Sequence, residues 1–152
     1  MFISEKRTRG VMRILFGHQF LPKETKYLSE QFLGRLATSV NDEPHVTPVR
    51  YAFESGKIYI NIAVNSKKMR NILRNNRVAF VVDDYLEKGG VKRARGVYVK
   101  GEAEIHESGE IYEFGIKLIR VKYESAKGFQ RGPNENRAII LIKPKKVLSW
   151  GL

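Results

Sequence analysis

Cysteine is absent from all 152 residues. That excludes disulfides, thiolate nucleophiles and zinc–thiolate centres. No apolar run approaches the ~20 residues that cross a bilayer, so no transmembrane helix is expected. Residues 1–7, MFISEKR, lack the apolar centre of a secretory signal, and a cytoplasmic location is expected. The three histidines, His18, His45 and His106, have no ligand spacing, so no metal site is expected. Neither G-x-S-x-G nor G-x-G-x-x-G occurs, which removes the nucleophile elbow and the Rossmann phosphate loop. Asp83 and Asp84 are adjacent, so on a strand they project to opposite faces and do not form a working carboxylate pair.

Acidic residues are also few. Lys and Arg number 28 against 16 Asp and Glu, a formal charge of +12. Such a surface attracts polyanions. It suits a phosphorylated small ligand, with nucleic-acid binding as the lesser reading. Hydrophobic residues make up 42% of the chain and charged residues 29%, which fits one soluble domain with one core.

The division expected is a basic arm over 1–21, with Lys6, Arg7, Arg9 and Arg13, and a single domain over 22–152. A short helix is predicted from about Lys23 to Phe32, with Leu28 and Phe32 on one face. Gly34–Val40 reads as a strand, followed by turn chemistry at Asn41-Asp42-Glu43-Pro44. His45–Glu54 and Lys57–Ile62 read as the next two strands, with Ile58, Ile60 and Ile62 on one side. Ser66–Asn75 reads as a helix capped by Asn65 or Ser66, with Met69, Ile72 and Leu73 on one face. Val78–Val82 is a buried strand, and a charged loop holding Gly89-Gly90 follows Tyr85. Arg95–Ile105 alternates as a strand in which Gly101 marks a bulge or a close backbone approach. Glu107–Lys122 is an amphipathic helix with Ile111, Phe114, Gly115, Leu118 and Ile119 in one stripe. A polar loop over 124–137 holds Gly128, Gly132 and Pro133. Ala138–Ile142 is the last apolar strand, which Pro144 ends or bulges. Six strands with few helices predict a mainly β fold, a small antiparallel barrel that hides its edges by closure.

Two segments carry chemistry. Asn65-Ser66-Lys67-Lys68-Met69-Arg70-Asn71 places a hydroxyl and three cations at the start of a helix, where unpaired N–H groups bind anions. Lysines there oppose the helix dipole by about 0.3–1 kcal/mol each, a cost that a bound anion would offset. His45-Val46-Thr47-Pro48-Val49-Arg50 puts a proline inside a strand. That implies an edge or a bulge, with backbone groups free to meet a planar heterocycle.

The order of these segments, continued by Ile58-Tyr59-Ile60, Asn75-Asn76-Arg77-Val78-Ala79-Phe80 and Gly96-Val97-Tyr98-Val99-Lys100-Gly101-Glu102-Ala103, resembles the pyridoxamine-phosphate-oxidase-like family of split-barrel flavoproteins, including its deazaflavin-dependent branch. The resemblance spans about Leu28 to Trp150. It implies a six-stranded split barrel, a homodimer, and FMN, or alternatively the deazaflavin coenzyme F-420, held between subunits for oxidoreduction of a small molecule. It implies that Ser66, Lys68 and Asn71 open the phosphate-side helix and that Thr47, Pro48 and Val49 border the ring; Lys67 and Arg70, the other cations of that helix start, are expected at the phosphate end by their charge. Asn61 and Ala63 lead into the phosphate site, Arg50 is a further phosphate partner, and Trp150 is a C-terminal aromatic near the site. No general acid or base is named. The C-terminal stretch Lys143 to Leu152 lacks the arginine and histidine residues that grip substrate phosphate in the vitamin B6 oxidase, which argues against pyridoxamine phosphate as substrate.

Overall fold

The computed structural model describes residues 12–14, 20–124 and 136–152. Lys6, Arg7 and Arg9 of the arm, His18, and Gly128, Gly132 and Pro133 of the polar loop lie outside them. The strands are β1 (Arg13–Ile14), β2 (Gly34–Val40), β3 (Glu43–Val49), β4 (Tyr51–Glu54), β5 (Lys57–Ala63), β6 (Arg77–Lys88), β7 (Val91–His106) and β8 (Arg137–Trp150). The helices are α1 (Pro22–Glu30), α2 (Lys67–Arg74) and α3 (Glu110–Glu124).

All strand pairs are antiparallel, in the order β3-β2-β6-β7-β8-β5-β4, with β1 added to β8. The two ends of that path, β3 and β4, are joined through Arg50 alone. Strands lie about 4.8 Å apart, and one residue cannot cross a flat sheet of that width. The sheet therefore curls until its first and last strands meet, which makes a barrel. Inside it pack Leu36, Ile58, Ile60, Ile62, Phe80, Val97, Val99, Ile140 and Ile142, all buried. Each such side chain contributes about 1.5–3 kcal/mol. On the outside, α3 covers Ile139 and Leu141 with Ile119 and Tyr123.

Among the described residues there are eight strands where six were expected, for identifiable reasons. The strand expected over His45–Glu54 breaks at Arg50, because its first half pairs with β2 (Leu36 opposite Thr47) and its second with β5 (Tyr51 opposite Ile60). The charged loop expected after Tyr85 is a β6–β7 hairpin. Gly89 and Gly90 turn it with φ of +58° and +78°, the left-handed pair that a tight hairpin needs. The arm adds the two-residue β1. Pro144 does not end the last strand. The register shifts between Lys100 and Gly101, and Pro144 faces Gly101 across that bulge.

The helices also differ in detail. Helix α1 stops at Glu30, so Phe32 lies beyond it and is exposed, and the buried face is Glu24, Tyr27 and Leu28. In α2, Met69 and Ile72 join the core cluster, but Leu73 falls on the flank of that narrow strip and is 66% exposed. Helix α3 begins at Glu110, and Phe114 is exposed at the margin of its buried stripe while its ring meets Tyr59 edge-on at 5.5 Å.

One buried cation tests this packing. The Lys122 ammonium lies 4.0 Å from the centre of the Tyr51 ring, with the Phe32 and Tyr123 rings nearby. Burial lowers its pKa from 10.5 to about 8. The charged form is thus disfavoured in the fold below pH 8, and this cost fades as pH rises towards 10.5. Folding stability is expected to increase between pH 7 and pH 9, and Lys122→Met to abolish the increase. Urea midpoints at the two pH values check it, and a wild-type midpoint that does not rise would refute the burial argument.

Candidate functional site at the barrel split

The ladder between β4 and β5 ends at Tyr51 opposite Ile60, yet β5 runs on to Ala63 along β8. On the other side, β3 turns away to pair only with β2. The result is a split between Thr47–Arg50 and Asn61–Ala63. Both facing edges lack a strand partner there, so backbone donors and acceptors line the gap. Pro48 sits on this free edge of β3, where a missing N–H costs no ladder bond.

Helix α2 starts at the same end of β5. Asn65 takes a left-handed φ of 66°, and its N–H points at the Met69 sulfur at 3.3 Å. Ser66 is the N-cap, its Oγ accepting from the Met69 N–H at 3.4 Å. Lys67 is exposed and Lys68 half-buried. Burial, followed by the nearby Arg137 guanidinium, holds the Lys68 pKa below the usual lysine value. Arg137 opens β8 directly opposite Ala63. Two cations beside a helix N-terminus repel one another, and an anion placed between them relieves that repulsion.

The Asn61 Oδ1 is buried without a hydrogen-bond partner. It is an acceptor without a donor beside the split, and a heterocyclic N–H or a ribityl hydroxyl would satisfy it. Thr47 is half-buried, Pro48 exposed and Val49 buried. Arg50 is exposed at the bend, its guanidinium 5.6 Å from the centre of the Tyr123 ring. These side chains and unpaired edges suit a planar ring with an anionic tail: the ring against strand edges, the tail at α2.

The remaining candidates are placed differently. The Arg70 guanidinium donates to the Asn65 carbonyl, bracing the turn before α2. The Asn71 amide donates to Thr38 Oγ1 at 3.0 Å, fastening α2 to β2. Trp150 lies opposite Gly96 at the far end of β8, roughly 40 Å of extended strand from Arg137. Within one chain the structure therefore does not bring Trp150 to the split. Arg137 was not anticipated, because it follows a polar loop and has no motif around it; only its register against Ala63 reveals it.

A family model described as pyridoxamine 5'-phosphate oxidase matches residues 21–151. A 5a,11a-dehydrotetracycline/5a,11a-dehydrooxytetracycline reductase of Streptomyces rimosus is 32% identical over 138 residues, spanning 88% of this chain and 84% of the reductase. The crystal structure of an FAD-binding protein from Mesorhizobium loti superposes with a TM-score of 0.68 at 23% identity, covering 91% of this chain and 96% of that one. An F-420 reductase superposes with a TM-score of 0.63 at 24% identity, covering 84% and 98%. Both structures share the split-barrel architecture derived above from the strand order. The chain belongs to the pyridoxamine 5'-phosphate oxidase family.

Proposed function

We propose that the protein is a homodimeric, cytoplasmic oxidoreductase that binds FMN with its ring in the split and its phosphate at the start of α2. The observation that carries this reading is the coincidence of two unpaired strand edges with the Ser66–Lys68 and Arg137 cluster. Bound there, the flavin would supply the hydride or electron chemistry, and the chain would supply position and charge. Ser66, Lys68 and Arg137 hold the phosphate, Thr47–Val49 and Asn61 hold the ring, and Lys67 and Arg50 neutralise charge at the rim. The second subunit supports the far side of the ring. Its reach explains how Trp150, remote in its own chain, could serve the neighbour's site.

A second reading keeps the site and exchanges FMN for the deazaflavin coenzyme F-420. It is favoured by the F-420 reductase among the structural relatives, and the +12 charge suits an acidic coenzyme. The reductase from Streptomyces rimosus supports reduction of an unsaturated small molecule under either reading.

Absorbance and fluorescence titrations with FMN and with F-420 test the proposal. Sedimentation of the same samples should give a dimer. Lys68→Ala is expected to weaken cofactor binding about 10- to 100-fold, as loss of a charge-assisted hydrogen bond worth about 1.5–3 kcal/mol implies. Circular dichroism should be unchanged. Unaltered affinity in the variant would remove Lys68 from the site, and failure of both cofactors to bind would end the proposal.

A further inference from the structure

Strands β6 and β7 outrun the sheet that holds them. The β2–β6 ladder ends at Arg35 opposite Val81, and the β7–β8 ladder ends at Gly96 opposite Trp150. From Tyr85 to Ala94 the two strands pair with each other, and among the described residues no third strand joins them. They project as a ribbon roughly 13 Å long, turned at Gly89-Gly90. A two-stranded ribbon alone is marginally stable in water. The root of this one is fixed from both sides. Asp84 accepts from the Arg95 guanidinium at 2.7 and 3.0 Å and from the Tyr27 hydroxyl at 2.9 Å, and Gly151 packs against the Ala94 carbonyl. The ribbon is therefore held in one direction.

Its two faces differ. Phe80 and Val82 point into the core, so Val81 and Asp83 point outward, and Tyr85, Glu87, Lys92 and Ala94 continue that outer face along the ribbon. On it Glu87 and Lys92 are directly opposed and pair at 3.8 Å, which leaves the Tyr85 ring, 64% exposed, beside the small Ala94. The other face carries Leu86, Val91 and the exposed cations Lys88 and Arg93. The outer face is thus the neutral one, and covering it costs less desolvation. It is also continuous with Trp150. A Cβ on Gly96 would lie 2.6 Å from Trp150 Cζ2 and 3.0 Å from the Asp83 Cβ, so the indole fills the space above Gly96 and beside Asp83. Tyr85 follows Asp83 on that face, two residues or roughly 7 Å further out.

We propose that the ribbon of one copy walls the split of the other, with Tyr85 covering the bound ring beside Trp150. The inference rests on the homodimeric reading above and adds a residue to its site. A two-fold operation moves a chain as a rigid body. An arrangement that carries Trp150 to the neighbour's split therefore carries Tyr85 there too, at the spacing that β6 and β7 fix. The split is incomplete without a cover, since Pro48, Arg50 and Lys67 stand exposed around it. Covering it excludes water from the ring and slows the cofactor's escape. Aromatic side chains meet a planar heterocycle in stacked or edge-on contact. The neutral face suits that position, because the split already holds Lys67, Lys68 and Arg137 and would repel the face bearing Lys88 and Arg93.

The test follows the rate at which bound FMN leaves the full chain on dilution, read by flavin fluorescence, with F-420 used in the same way. Tyr85→Ala is expected to speed release about 3- to 10-fold, the scale of one lost aromatic contact, while sedimentation remains that of a dimer. Val91→Ala removes a side chain of equal exposure from the opposite face of the ribbon and should change the rate less than twofold. Mixed dimers decide which copy supplies the residue. Pairing a Lys68→Ala chain with a Tyr85→Ala chain leaves one strong site, in the Tyr85→Ala chain. Release from that site should be as slow as in the wild type, because the other chain's Tyr85 lies over it. Fast release there would mean that the ribbon serves its own chain, and would overturn the inference. An unchanged rate in Tyr85→Ala, or equal acceleration by Val91→Ala, would overturn it too while leaving cofactor binding at the split in place. If neither FMN nor F-420 binds the wild type, or if it sediments as a monomer, the reading beneath fails and the ribbon's role fails with it.

Discussion

Glu24→Ala is expected to lower folding stability by about 3 kcal/mol, measured as a shift of the urea transition. Glu24 is the most completely buried acid in the described chain, at 0% exposure. Its carboxylate accepts from the Arg13 guanidinium at 2.6 and 3.1 Å, the Leu21 N–H at 2.9 Å and the Ser149 hydroxyl at 2.5 Å. Three separate elements therefore end on one side chain: β1, the start of α1 and the C-terminal end of β8. Removing it leaves the part-buried Ser149 hydroxyl and Leu21 N–H without their acceptor and opens a cavity. Arg13 is partly solvent-accessible and can rehydrate, which holds the expected loss at the lower end of the ~3–5 kcal/mol for a broken buried pair. The sole tryptophan, Trp150, follows Ser149 directly, so its emission should shift to longer wavelength in the variant before global unfolding.

The same carboxylate predicts an acid response. Burial pushes its pKa up, but the bonds from Arg13, Ser149 and Leu21 outweigh burial and hold it below 4.5. A depressed folded pKa contributes stability that is complete above the unfolded value and is lost as pH falls through the folded one. The tryptophan shift should therefore appear in the wild type below pH 4.5 and be absent from Glu24→Gln. A Glu24→Ala variant with an unchanged midpoint and unchanged emission would show that the arm is not fastened there.

Glu24 also shows where sequence reading stops. In the helix pattern it is one more acid in a first turn, and nothing nearby announces that Arg13 and Ser149 close over it. Local signals served well where the cause was local. Gly34–Val40 alternates and is a strand with those bounds, and the isoleucines at 58, 60 and 62 face the core. Ser66 caps α2, and Gly101 marks both a bulge and a close approach. Signals failed where a distant partner decided the outcome. Arg50 breaks its strand because β2 and β5 compete for the two halves. Leu73 is exposed because α2 meets the core only along Met69 and Ile72. The candidate site divides in the same way: Ser66, Lys68 and the Thr47–Val49 edge were readable from helix and proline chemistry, while Arg137 needed the β5–β8 register.

Gly101→Val should have a comparably large effect, by a different cause. A Cβ at this position would lie 2.5 Å from the Lys143 carbonyl oxygen and 3.1 Å from the Lys143 carbonyl carbon and the Pro144 Cα. All three are backbone atoms of the neighbouring strand, so no rotamer change relieves the contact and β7 must separate from β8. Overpacking of this kind costs about 1–3 kcal/mol in adaptable cores, and a rigid backbone obstacle belongs at the upper end. For a chain of this size, about 3 kcal/mol corresponds to a fall of roughly 6–12 °C in melting temperature. Gly115→Ala is the matched control. Its Cβ would meet only the Ile139 side chain, at 3.0 Å, and the improved helix propensity of about 1 kcal/mol works in the opposite direction. The expected change there is under 3 °C. Equal losses for the two variants would mean that lost flexibility, not backbone contact, governs both glycines.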